Sequence, residues 1–252
     1  MSPQIVSLVA PAKLTVSLKV TGVRADGFHL IDAEMVTLDL ADKLVVDTSR
    51  TGLVITGEFA EDLASPTNTD DNLVSRALQL AGRKAHVTVT KNIPSGGGLG
   101  GGSSNAAAIL RWAGFTDLVA AAKLGADIAF CMIGGRARVT GIGEVVNPLE
   151  KNARKITLVV PPFRVSTPAV YRAFDQLTDF GRTPIKHAGV NDLEPAAIKV
   201  EPRLAIWREK ISQACGVAPT LAGSGSTWWL DGNFENLTEQ IADAVVIYTQ
   251  TN

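Results

Sequence analysis

A chain of 252 residues, 46% hydrophobic and 19% charged, carries enough apolar side chain for one large or two small cores, which excludes a disordered or low-complexity protein. A formal net charge of −1 leaves no general basic field for nucleic acid or an anionic membrane, and no run of about 18 uncharged apolar residues reads as a membrane span. The start lacks the basic stretch and apolar run of a secretory signal, and Cys131 and Cys215, far apart in apolar surroundings, read as buried free thiols of a cytoplasmic protein; no metal-ligand spacing is present.

Residues 4–9 and 13–20 run apolar or alternate with β-branched side chains and read as strands, with a loop from Thr21 to Gly27. Met35–Leu40 and Lys43–Asp47 are expected as short strands joined by a tight turn at Ala41-Asp42, and Leu53–Thr56 as another. Asn72 is placed to cap a helix over Leu73–Gly82, whose apolar positions 73, 74, 77, 78 and 81 have helical spacing. A strand over 85–90 leads to a glycine-rich stretch and an alanine-rich helix, Ser103–Trp112; Thr116 or Asp117 caps a short helix over 118–124. Arg136–Thr140 and Glu144–Asn147 pair as a hairpin around Gly141-Ile142-Gly143, and Glu150–Arg154 reads as a linker. Beyond it come a strand at 155–160, helices at 167–177 and 201–214, a strand at 227–230 and a helix at 234–244. Trp228-Trp229 fit a core or a partner surface equally. Strands in runs rather than strict alternation with helices give an α+β fold in two domains, 1–153 and 154–252.

The stretch 94–107, PSGGGLGGGSSNAA, places six glycines around Leu99 directly before a helix. Glycine accepts positive φ and close approach, so this composition builds a loop of inward N–H donors, with the positive end of the helix aimed at the same anion. The loop is not a Walker A sequence, because Gly102 is followed by Ser103 and Ser104 with no lysine. Gly96, Gly98 and Gly101 satisfy the dinucleotide fingerprint only formally, since Lys91–Ser95 separates them from the preceding strand. A flexible linker would not carry Leu99 at its centre and an alanine helix behind it.

Three motifs in order resemble the small-molecule kinase superfamily of galactokinase, homoserine kinase, mevalonate kinase and phosphomevalonate kinase: APAKLTV at 10–16, the glycine stretch, and LAGSGST at 221–227. Within it, RADGFH at 24–29, LGADIAF at 124–130, GIGEVV at 141–146 and Asn191–Glu194 resemble the 4-diphosphocytidyl-2-C-methyl-D-erythritol kinase family of the non-mevalonate isoprenoid pathway. The resemblance spans nearly the whole chain. It implies an N-terminal domain like ribosomal protein S5 domain 2, a ferredoxin-like C-terminal domain, and transfer of the ATP γ-phosphoryl group to the substrate's C2 hydroxyl with Mg²⁺ present.

The resemblance also implies roles. Pro94, Ser95, Gly96, Gly97, Gly98, Leu99, Gly100, Gly101, Gly102, Ser103 and Ser104 would hold the nucleotide phosphates, Ser103 or Ser104 offering a hydroxyl to phosphate or Mg²⁺. Asp127 matches the family's proton acceptor and Lys13 its alkoxide-stabilising lysine; without the resemblance, a helix-terminus acid and a solvated strand-end lysine are the plainer readings. Phe28 and His29 match an aromatic–histidine pair that stacks on cytosine and reads its edge, and Tyr171, which also fits helix packing beside Phe174, would close the sandwich. Thr15, Thr167 and Asn191 are further substrate contacts. Thr15 stands where the family commonly has asparagine, and Ala129 where it has proline. A kinase of the superfamily with another acceptor, or a nucleotide-binding sensor without turnover, are the competing readings; an intact Lys13 and Asp127 weigh against the sensor.

Overall fold

The structure is a computed structural model that describes residues 4–60, 71–178 and 189–252. Strands before residue 150 form one sheet: β1 (Ile5–Val23), β2 (His29–Asp47), β3 (Gly52–Thr56), β4 (His86–Thr90), β5 (Arg136–Gly141) and β6 (Val145–Pro148). Its order is β3-β4-β2-β5-β6, with β1 also on β2, and every pair is antiparallel except β3 with β4. Period-two burial sets its faces: Val87 and Val89 of β4 are buried while His86, Thr88 and Thr90 are not.

Among the described residues of this half the helices are α1 (Leu73–Leu80), α2 (Gly101–Trp112), α3 (Leu118–Leu124) and α4 (Ile128–Ile133). The Asn72 side chain accepts from the Val74 N–H at 2.9 Å and the Asp117 side chain from the Ala120 N–H at 3.0 Å, so both expected caps are in place. α2 is buried continuously from Ser104 to Leu110. A helix covered on nearly every side needs small residues for close approach, which accounts for Ala106-Ala107-Ala108.

The second sheet holds β7 (Lys155–Val160), β8 (Thr220–Leu221), β9 (Trp228–Asp231) and β10 (Val245–Gln250), with α5 (Thr167–Thr178), α6 (Glu194–Val200), α7 (Arg203–Cys215) and α8 (Leu237–Gln240). Its order, β10-β7-β9-β8, is antiparallel throughout and is that of a ferredoxin-like sheet. Both tandem tryptophans are core. Trp228 faces the larger apolar cluster with Val159 and Phe174, and Trp229 the smaller one, where Ala12, Leu14 and Leu38 of the first sheet meet Ile156 and Leu158 of the second. Alternation on an interior strand thus buries one indole on each face.

Several expected boundaries shift. Ile5–Val23 forms one strand in place of the two expected, and takes in the first residues of the expected loop, because β-bulges at Pro11/Lys13, Thr15/Ser17 and Val20/Gly22 absorb the irregularities. Ala41-Asp42 is no turn but the interior of β2. Asp42 is fully buried, its carboxylate paired with Lys91 and accepting from the N–H groups of Asn92 and Ile93 at 2.7 and 2.9 Å, so an acid that reads as a turn residue serves as a buried anchor. The helix expected over 234–244 is only Leu237–Gln240, and β10, α4, α6 and β8 have no counterpart in the expectations. Both cysteines are free, Cys131 buried and Cys215 only half-buried, since it ends α7.

Candidate active site

Two segments far apart in sequence converge on the glycine loop. The Lys13 N–H donates to Leu99 O at 3.0 Å and the Thr227 N–H to Gly97 O at 3.2 Å. A Cβ on Gly97 would lie 2.7 Å from Thr227 Oγ1, one on Gly98 2.6 Å from Ala222 O, and one on Gly100 2.6 Å from Lys13 Cγ. Neighbouring protein, as well as any ligand, therefore demands glycine at these positions. Every second residue, Gly96, Gly98 and Gly100, is left-handed with φ of +76°, +79° and +68°, which gathers successive N–H groups into a concavity, while buried Leu99 pins the loop to the core.

The loop roofs a cleft of about 400 Å³ whose walls include Pro94, Ser95, Lys91, Ser103 and Asn105. The N-cap of α2 is Gly100, which has no side chain to offer, so the N–H groups of its first turn are left for an anion. Lys91 Nζ stands beneath that turn, 2.9 Å from where a Cβ on Gly101 would be. Only one of the two serines faces the cleft. Ser103 lines it, whereas the Ser104 hydroxyl donates to the Pro11 carbonyl. Asn105 is buried within α2, and its Oδ1 has no partner.

A second cavity, of about 540 Å³, shares Gly98 with the cleft. Lys13 and Thr15 reach it from β1, Phe28 from the β1–β2 loop, His29 from the start of β2, Asp127 from the start of α4, and Thr167, Tyr171, Arg172 and Asp175 from α5. Lys13 is buried and its Nζ lies 3.1 Å from Asp127 Oδ2 and 3.1 Å from Thr15 Oγ1, so the hydroxyl that replaces the family's amide holds the lysine. Asp127 occupies the N-cap position of α4 without capping it, which leaves the carboxylate for Lys13. Ala129 is the second residue of α4, where an N–H has no intrahelical acceptor; proline is tolerated there but not needed to start the helix.

His29 Nε2 is 2.6 Å from Asp175 Oδ1, and its ring lies 4.7 Å from that of Tyr171, tilted by 36°. One side of Tyr171 is therefore occupied by His29, and burial, then the Asp127 carboxylate, pushes its phenol pKa up, keeping it neutral. Phe28 sits 58% exposed on a loop closed by the Arg24 N–H donating to Phe28 O at 2.8 Å. Thr167 Oγ1 hydrogen-bonds Ser224 Oγ at 2.7 Å in the cavity wall.

Asn191 lies outside that wall. Its Nδ2 donates to Leu221 O and Gly223 O at 2.9 and 2.7 Å and its Oδ1 accepts from the Leu193 N–H at 3.0 Å, so it braces the C-terminal motif rather than presenting its amide to a ligand. Lys91, Asn105, Arg172 and Asp175 were not singled out by the sequence reading. Asn105 had a signal, as asparagine competes with helix hydrogen bonding and is a poor choice inside an alanine helix; the others depend on contacts between distant segments.

Residues 72–135 match the family model described as the GHMP kinases N terminal domain. A 4-diphosphocytidyl-2-C-methyl-D-erythritol kinase of Paracoccus denitrificans is 39% identical over 232 residues, covering 86% of this chain and 84% of that protein. The chain belongs to the 4-diphosphocytidyl-2-C-methyl-D-erythritol kinase family. The family kinase of Cereibacter sphaeroides is 36% identical, covering 86% of each chain. A crystal structure of 4-(cytidine 5'-diphospho)-2C-methyl-D-erythritol kinase superposes with a TM-score of 0.74 at 29% identity, covering 98% of this chain and 99% of that one. The family's α+β kinase fold accordingly extends across both sheets.

Proposed function

We propose that the protein transfers the γ-phosphoryl group of ATP to the C2 hydroxyl of 4-diphosphocytidyl-2-C-methyl-D-erythritol, giving ADP and the 2-phosphate. The observation that carries this reading is the junction at Gly98, where the cleft under the glycine loop meets the cavity holding the Lys13–Asp127 pair. Phosphoryl transfer asks a protein chiefly for position and charge. The N–H groups of the loop and of the first turn of α2 receive the phosphates, and Lys91, neutralised by its buried pair with Asp42, buttresses that turn from below. Asn105 Oδ1, a buried acceptor without a partner, suits an amine donor on the nucleotide base; leaving such a group unpaired costs about 1–3 kcal/mol, which that donor removes.

At the other end Phe28 offers an exposed ring for cytosine to stack on, beside His29 and Tyr171, and Arg172 offers positive charge to the substrate's diphosphate. Asp127 takes the C2–OH proton as the hydroxyl oxygen bonds to the γ-phosphorus and the bond from that phosphorus to the departing ADP oxygen breaks. Lys13 stabilises the oxygen's developing charge and, held by Thr15, fixes the carboxylate.

Among the described residues no three His, Cys, Asp or Glu side chains form a metal cage, and Ser103, which lines the cleft, would be the residue to hold a Mg²⁺ brought in with the nucleotide. Bound Mg²⁺ supplies charge neutralisation on the phosphate oxygens. The two sheets support a division into domains 1–153 and 154–252, and we read the protein as cytoplasmic; no described helix is long and apolar enough to cross a membrane.

The test is ADP release with ATP, Mg²⁺ and the cytidyl substrate, beside homoserine and mevalonate as acceptors. Turnover with the cytidyl substrate alone, reduced roughly 10²–10⁴-fold in Asp127→Asn with nucleotide binding retained, is the expected result. Turnover with another acceptor removes the cytosine pocket from the account, and ATP binding without turnover on any acceptor leaves a nucleotide sensor.

A further inference from the structure

The β5–β6 hairpin ends in Gly141-Ile142-Gly143-Glu144, and this tip presses on the peptide that precedes Asp127. Gly143 is left-handed, with φ of +115°, and a Cβ there would collide with Ala126 O and lie 3.0 Å from Ala126 C. Such an approach between two backbones is open only to glycine. The tip is itself braced: the Ile142 N–H donates to Glu144 Oε2 at 2.6 Å, the Gly143 N–H to Thr140 O at 3.3 Å, and the Glu144 carboxylate folds over Gly141 so closely that a Cβ there has no room. A stiff turn thus bears on one side of residues 125–127.

The opposite side has little stiffness of its own. Asp127 makes no side-chain capping bond to α4, Ala129 in place of proline leaves the first turn of that helix without a fixed φ, and the backbone around Asp127 is held by two bonds, from the Ile128 N–H to Gly125 O at 2.9 Å and from the Cys131 N–H to Asp127 O at 3.0 Å, neither of which holds the Ala126–Asp127 peptide itself. Lys13 enters from β1 with its stem laid over Gly100, so its position does not follow that of Asp127. The 3.1 Å between Nζ and Oδ2 depends on where the Ala126–Asp127 peptide stops.

We propose that Gly143 and Glu144 are positioning residues, the hairpin tip serving as a backstop that fixes the Ala126–Asp127 peptide and hence the reach of the carboxylate toward Lys13 and the acceptor hydroxyl. Gly143 supplies the close approach and Glu144 the rigidity. The inference rests on the reading of Asp127 as proton acceptor. It explains why two glycines and an acid recur within four residues at a turn whose only side chain in the cavity wall is Ile142.

The experiment compares Gly143→Ala, Glu144→Ala, Glu144→Gln and Asp127→Asn for kcat, for KM of ATP and for amide hydrogen exchange over residues 125–131. Gly143→Ala and Glu144→Ala are expected to lose tenfold or more in kcat with KM for ATP within twofold of the parent. Glu144→Gln, which keeps an acceptor for the Ile142 N–H, returns to within threefold. Exchange over 125–131 rises in both damaging variants while exchange in α2 and β7 is unchanged. Parental kcat in Gly143→Ala and Glu144→Ala, or exchange that rises equally throughout the chain, overturns the proposal. If Gly143→Ala does not fold, the Glu144 pair decides alone. Parental turnover in Asp127→Asn would instead overturn the proton-acceptor reading, and the exchange result then judges the backstop by itself.

Discussion

Gly100→Ala separates the two demands made on the glycine loop. With φ at +68°, alanine at this position costs about 1–2 kcal/mol for the left-handed backbone alone. The new methyl also falls 2.6 Å from Lys13 Cγ and 3.1 Å from Lys13 Cε, against about 3.5–4.0 Å for relaxed carbon contact, so the lysine stem retreats by roughly 1 Å. A Lys13–Asp127 separation of 3.1 Å cannot absorb that shift and remain a close ion pair. Misplacement of about 1 Å in a reacting constellation costs on the order of 10²-fold, which sets the expected loss in kcat. Gly114→Ala is the matched control: its φ is +73°, nothing lies within 4 Å of the added Cβ, and it carries the same backbone cost without reaching Lys13. Each variant should melt roughly 2–8 °C lower, and a coupled ADP-release assay should find only Gly100→Ala impaired. Turnover within threefold of the parent in Gly100→Ala, or equal loss in Gly114→Ala, refutes the reasoning.

Phe28→Ala should leave the melting temperature unchanged, the ring being mostly exposed, while raising KM for the cytidyl substrate about 5- to 100-fold and leaving KM for ATP alone; initial-rate kinetics in both substrates decide it. Lys91→Met strands the Asp42 carboxylate in the core and should destabilise the fold by about 3–5 kcal/mol, part of which Asp42→Asn in the same chain restores; urea denaturation measures both. Burial, reinforced by the Asp127 carboxylate, pushes the Cys131 thiol up to about 12. Iodoacetamide at pH 8 should therefore modify half-buried Cys215 first and Cys131 at least about 10²-fold more slowly, the slower rate climbing roughly tenfold per pH unit because the thiolate is the scarce species; peptide mass spectrometry at several pH values checks this.

Local chemistry was legible wherever the chain itself carries the signal. The Asn72 and Asp117 caps, the period-two burial of His86–Thr90 and the glycine loop before an alanine helix all follow from neighbouring residues. What escaped the sequence depends on partners far along the chain. Asp42 is a turn former by composition and a buried anchor by virtue of Lys91, 49 residues away. β10 exists because β7 offers it an edge, and its own half-exposed pattern does not exclude a helix. The motifs carrying the family resemblance marked Lys13 and Asp127, but their 3.1 Å contact, the Thr15 hydroxyl that holds the lysine and the Asp175 that meets His29 come from tertiary structure. Asn191 shows the converse: a residue carried over as a ligand contact has its amide taken up by Leu221, Gly223 and Leu193.

The close packing of Gly97 and Gly98 against Ala222 and Thr227 has a bearing on how the protein is made. A nascent chain that has passed the glycine stretch holds every N–H of the loop in its covalent sequence, yet the loop lacks the surface against which it is shaped until residues 221–227 have left the ribosome. The shape of the loop is therefore a late product of synthesis, complete only when a segment more than a hundred residues further along the chain packs on it.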